Sequence, residues 1–155
     1  LSGEPSSAAR LRAAPRERSV TPHHPAVRAA SLALGRRDAR WLETEPGVTQ
    51  TVQIAEGRFP GGATHIATVI WTSPDMEMAS GPLFTLDDKG ELVQSIGGTP
   101  SLWSAAAILE FLGDIDGDGF DEVGWSSQGI EDITESLTRV TPSEVRTHQL
   151  FAAGH

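Results

Sequence analysis

The chain has 155 residues, 38 % of them hydrophobic, with 16 Gly and 10 Pro, which suits one turn-rich domain able to bury a core. It has no Cys, which excludes disulfides, thiolate zinc sites and thiol nucleophiles, and no apolar run approaches the roughly 18 residues of a membrane-spanning helix. The net charge of −9 is uneven: residues 1–46 hold eight Arg against five acids, leaving +3, and residues 47–155 hold four basic residues against sixteen acids, leaving −12. So acidic a body repels nucleic acid and anionic membrane, and neither is expected as its partner.

Residues 1–25 are rich in Ser, Ala, Pro and Arg and lack apolar periodicity. Such a segment cannot bury enough surface to offset its ordering entropy, so it is expected to need another chain, or its own domain, to hold it. Pro25 to Gly35 reads as a short helix, with Pro in the first turn, Ala throughout and Gly at the stop. Arg36-Arg37 is not a twin-arginine signal, because Asp38-Ala39-Arg40 stands where an apolar region is required. The opening residue, Leu1 rather than Met, fits an expectation that a leader has been removed. Glu43 to Gly47 is a linker, which divides a basic arm (1–46) from an acidic β-domain (47–155).

The body is written in strands. Val48–Ala55 alternates Val52 and Ile54 with polar Thr51 and Gln53, and His65–Thr72 is strongly β-branched. Pro82–Leu86 and Glu91–Ile96 flank Asp87-Asp88-Lys89-Gly90, a hairpin connection with Gly where positive φ is needed. Ala106–Leu112 and Glu122–Ser127 flank an acidic loop, and Ile133–Val140 and Val145–Phe151 form a last hairpin across Thr141-Pro142-Ser143-Glu144. The prediction is an all-β, antiparallel, blade-like or sandwich domain of about eight strands in two sets of four, preceded by an extended arm with a short helix. The two sets share a shape, Val52 to Trp71 and Ala107 to Trp125. In the first, Arg58-Phe59-Pro60-Gly61-Gly62 stands where the second has aspartates. Two blades cannot close a propeller, so the body must stack as a small sandwich or rolled sheet, or borrow an edge from another chain.

The acidic loop, Gly113-Asp114-Ile115-Asp116-Gly117-Asp118-Gly119-Phe120-Asp121-Glu122, carries the chemistry. Carboxylates this dense repel one another unless a cation neutralises them, and a hard divalent ion with oxygen ligands suits their spacing. Asp114, Asp116, Asp118, the Phe120 carbonyl and Glu122 form the expected shell, with Gly119 allowing the chain reversal before Phe120. An EF-hand is excluded, because its twelfth position, which should be Glu, is Trp125 and a strand follows. An ion-free acidic turn is the plain alternative.

This shortened loop, with apolar residues before it and a strand after, resembles the calcium loop of FG-GAP/VCBS repeats, found in integrin-type β-propellers and many secreted bacterial proteins. The resemblance covers about 106–150. It implies bound Ca²⁺ in a structural role, an extracytoplasmic (periplasmic or secreted) setting, and a non-enzymatic structural or interaction subunit. Other protein subunits are the expected partners, contacted through the arm. The competing reading is a hydrolase or carbohydrate-binding accessory domain whose acidic loop lies near a substrate site.

Paired catalytic acids usually come from separate segments, and five ligand-spaced acids on one loop fit a cation better. His23-His24 are adjacent rather than at helical spacing, and no Gly-x-Ser-x-Gly elbow is present, so zinc and serine-hydrolase readings are not favoured. Trp71 and Trp125, at strand ends, are predicted to be core, and Trp103 to be exposed.

Overall fold

A computed structural model of the chain describes residues 11–33, 44–75, 78–80, 82–97, 101–102, 106–128 and 133–153. Twelve antiparallel strands fall into two sheets, with no closed barrel among the described residues. All eight strands read from the sequence are present: β3 (Thr49–Glu56), β4 (His65–Thr72), β6 (Leu83–Leu86), β7 (Leu92–Gly97), β9 (Ala106–Gly113), β10 (Glu122–Gln128), β11 (Ile133–Val140) and β12 (Val145–Ala153). Four short ones were not expected: β1 (Arg12–Ala13), β2 (Arg18–Val20), β5 (Met78–Ser80) and β8 (Ser101–Leu102).

The larger sheet has the path β2-β3-β4-β5-β8, with β6 also on β4 and β7 on β6; the smaller runs β1-β9-β10-β11-β12. Each predicted set of four therefore lies within one sheet. The sheets stack through a core in which Ile66, Leu83 and Ile96 of one meet Leu109, Leu112, Val123 and Trp125 of the other. This is the sandwich solution to a pair of sheets with one apolar face each.

The outer face of the larger sheet is covered by the helix α1 (Pro25–Ala33). Its Ala26, Val27, Ala29 and Ala30 form one buried stripe against Val52, Val69, Trp71, Phe84 and Leu86. Small residues let the helix approach closely, and each large side chain fully buried beneath it contributes about 1.5–3 kcal/mol. His24 stands before the first turn, and its Nδ1 accepts the Ala26 N–H at 3.1 Å. Burial, with the Arg18 charge second, holds the His24 pKa below its usual value, so the neutral ring suits this capping role. The predicted stop at Gly35, Arg36-Arg37, Trp103 and residues 1–10 lie outside the described residues.

With both faces of the larger sheet covered, the polar members of its alternating strands turn toward the second sheet instead of water. Gln53 is 4 % exposed and lies between the layers. Its amide donates to the carbonyls of Leu109 and Pro15, both at 3.0 Å, and its Oε1 accepts the Leu109 N–H at 2.8 Å. Leu109 borders a bulge where β9 slips one residue against β10 between Gly124 and Trp125, so one buried amide serves backbone groups beside a break in the ladder.

The described part of the arm lies on its own body. Arg12 and Ala13 pair with Leu112 and Phe111, and Arg18–Val20 pair with Gln50–Val52. Residues 11–33 thus find their order within this chain, and they lend no support to the expectation of an arm reaching another subunit.

Candidate metal centre

The acidic loop is the eight-residue connection 114–121 between β9 and β10, whose ends are in register at Gly113 and Glu122. Its N–H groups are bonded to its own carboxylates. Asp114 accepts from Gly117 through Oδ1 and from Gly119 through Oδ2, both at 2.8 Å. Asp116 Oδ1 accepts the Asp118 N–H at 3.2 Å, and Asp118 Oδ1 accepts the Phe120 N–H at 2.9 Å. Gly117 and Gly119 sit at φ +78° and +91°, the left-handed region in which a side chain is strained, and these reversals coil the chain about the acids.

The coil gathers Asp114, Asp116, Asp118 and Glu122, with one carboxylate oxygen from each lying within 4.8 Å of the others, close enough to hold a metal ion. Glu122 is the inner wall. It is 3 % exposed, its Oε2 accepts the Ile115 N–H at 2.7 Å, and its Oε1 is buried with no hydrogen-bond partner. An unpaired buried carboxylate oxygen is costly, and a cation coordinated there removes that cost. Hard oxygen donors of net negative charge fit Ca²⁺ or Mg²⁺ rather than a soft metal.

The electrostatics agree. Burial first, then the Asp116 and Asp118 charges, push the Glu122 carboxyl up to about 7, against the Ile115 N–H, which lowers it. Asp118 is also raised, by burial and then by Asp116 and Asp114 despite the Phe120 N–H. Asp116 moves down: burial opposes this, but the neighbouring Glu122 carboxyl and the Asp118 N–H outweigh it and the Arg139 charge adds to them. In the ion-free loop, burial and the neighbouring aspartates thus both disfavour the charged form of Glu122.

Two residues take roles at the loop that its spacing did not reveal. Arg139, from β11, reaches the rim, with Nε 2.7 Å from Asp116 Oδ2 and Nη2 3.8 Å from Asp118 Oδ2. It is one of only four basic residues in the body, the one clue the sequence offered. Asp121 turns away from the cluster, and its Oδ2 accepts from Arg12 at 3.1 Å and from the Arg58 N–H at 3.0 Å, while its own N–H donates to the Arg58 carbonyl at 2.8 Å. It fastens the arm and the β3–β4 loop to the acidic loop. The Arg58 guanidinium lies 5.9 Å from the centre of the Phe120 ring. Phe120 is thus placed in the loop by its N–H and its ring.

Beside Asp121 is an open cleft of about 590 Å³ lined by Arg12, Glu56, Arg58, His65 and Asp88 among others. Its Asp121 carboxylate is taken up by the bonds just described. Trp71 and Trp125 are core as predicted, 2 % and 7 % exposed, and the Trp125 indole N–H donates to Thr138 Oγ1 at 2.8 Å. Among the described residues no helix is long and apolar enough to cross a membrane. In comparisons with known proteins the chain matches no family, no curated protein and no solved structure.

Proposed function

We propose that the protein is a non-enzymatic, calcium-stabilised β-sandwich module that works outside the cytoplasm as a structural or interaction subunit, in the manner its FG-GAP/VCBS-like loop implies. The observation that carries this reading is Glu122 Oε1, buried and unpaired at the back of three aspartates. Calcium is preferred to magnesium because the loop offers many oxygens in an irregular arrangement, whereas magnesium demands near-ideal octahedral geometry and keeps its water. Asp114, Asp116, Asp118 and Glu122 would hold the ion, with the Phe120 carbonyl as a fifth ligand. The bound ion supplies positive charge at the point where four carboxylates converge.

Asp121 extends that effect outward, because it couples the loop to β1 and to the β3–β4 turn. Loop affinities in extracellular modules are often weak, about 10⁻⁴–10⁻³ M, and suffice only where calcium is millimolar, which is the ground for an extracytoplasmic setting. Asp116→Ala and Asp118→Ala test the reading by thermal melts in calcium and in EDTA. The parent should melt higher in calcium, and both variants should lose that difference. If parent and variants melt alike in both buffers, no calcium is bound.

A further inference from the structure

Arg139 is the outward member of an alternating strand. Its neighbours on β11, Thr138 and Val140, are buried, so its side chain leaves the opposite face of the sheet, where it is 45 % exposed. Val123 of β10 pairs with Thr138, so the next residue of β11 stands beside the end of β10, where Glu122 closes the acidic loop. Strand register thus delivers a guanidinium to the carboxylates.

On its other side Arg139 pairs directly with Arg146 of β12. Like charges directly opposite one another destabilise a sheet, and an anion close to each offsets this. Arg146 has Glu144, at 3.3 Å, and Arg139 has the cluster, with Nε 2.7 Å from Asp116 Oδ2 and Nη2 3.8 Å from Asp118 Oδ2. The guanidinium serves only the rim. Glu122 Oε1, at the back of the same cluster, is buried and receives no hydrogen bond. The outer carboxylates therefore have a cation of the protein's own, and the inner one does not.

We propose that Arg139 is a built-in competitor of calcium, which holds Asp116 and Asp118 in the ion-free loop and thereby sets the affinity of the site low. The inference rests on the calcium reading of the loop. A divalent ion among these oxygens and a guanidinium on two of the same carboxylates are like charges drawing on the same anions. Arg139 therefore stabilises the ion-free state more than the loaded one, and that difference is subtracted from the free energy of binding. By the same linkage, the hold of Arg139 on the rim must loosen as calcium binds. One charge does two things: it steadies the loop when the ion is scarce, and it confines loading to high calcium.

Calcium titration calorimetry on the full chain should compare the parent with Arg139→Gln and Arg139→Lys. The glutamine variant should bind calcium about three- to tenfold more tightly, the size expected of a half-exposed charge facing a divalent ion. The same variant should melt lower than the parent in EDTA. Its two effects then have opposite signs, which the loss of a merely structural contact would not give. Arg139→Lys keeps the charge and should stay within about twofold of the parent affinity. In the parent itself, the Arg139 Nε–H followed by NMR should exchange faster with water once calcium is added, a readout that needs no variant to fold. Four results would each overturn the proposal and leave the calcium reading standing: a glutamine variant that binds no more tightly than the parent, a lysine variant as tight as the glutamine one, an EDTA melt no lower than the parent's, or Nε–H exchange that calcium does not quicken. Absence of binding in the parent and both variants would overturn the calcium reading, and this inference with it.

Discussion

The β3–β4 and β9–β10 hairpins solve one problem in two ways. Each joins its strands with eight residues, 57–64 in the first and 114–121 in the second. The first loop closes on itself through backbone bonds, Gly57 N–H to the Thr64 carbonyl at 3.0 Å and Phe59 N–H to the Ala63 carbonyl at 3.2 Å, and it plugs its interior with Phe59, 2 % exposed. The second hands its N–H groups to aspartates and leaves a buried carboxylate oxygen unpaired. A loop filled by an aromatic ring is complete as folded, whereas a loop lined by converging carboxylates has room to be completed by a cation. The contrast separates a stability that is fixed from one that depends on the medium.

Emptying the aromatic loop gives the largest expected effect. Phe59→Ala removes a buried ring from the core shared by both sheets and should cost about 3–5 kcal/mol, by urea denaturation, equally in calcium and in EDTA. Glu122→Gln comes next. The amide keeps an acceptor for the Ile115 N–H but removes the inner charge, so calcium-dependent stabilisation should vanish, a loss of about 2.7 kcal/mol when calcium stands at a hundred times the dissociation constant.

Asp121→Asn probes the joint between the loops. It keeps one acceptor but loses the charge that Arg12 approaches at 3.1 Å, and should cost about 1 kcal/mol. Hydrogen exchange should then quicken at residues 12–14 and 57–59 while β11 and β12 keep their protection.

A further test is in pH. The Glu122 carboxyl of the ion-free fold is raised from 4.5 to about 7, so its contribution to stability is complete below pH 4.5 and is lost as pH climbs through 7. Urea midpoints in EDTA should carry a downward component across this window that Glu122→Gln lacks. Saturating calcium, which favours the charged carboxylate, should remove it.

Much of this was legible in the chain. Period-two alternation and turn residues located all eight principal strands, with His65–Thr72 and Ile133–Val140 found to the residue. The carboxylate cluster was legible because its members lie within nine residues, so local spacing alone brings them together. The missing parts depend on distant contacts. Arg12 and Arg18 gave no strand pattern because β1 and β2 are two and three residues long and exist only by pairing with β9 and β3. Gln53 looked like the water-facing member of an alternating strand, and only the second layer makes it an internal bridge. Arg139 arrives at the cluster from β11, two strands on from β9, a placement that no spacing within the loop could reveal.

The most direct test of the account is isothermal titration of the ion-free protein with calcium. One equivalent should bind to the parent, with proton release near neutral pH as Glu122 ionises, and none should bind to Glu122→Gln. Binding that persists unchanged in that variant, or no heat of binding in the parent at millimolar calcium, would contradict it.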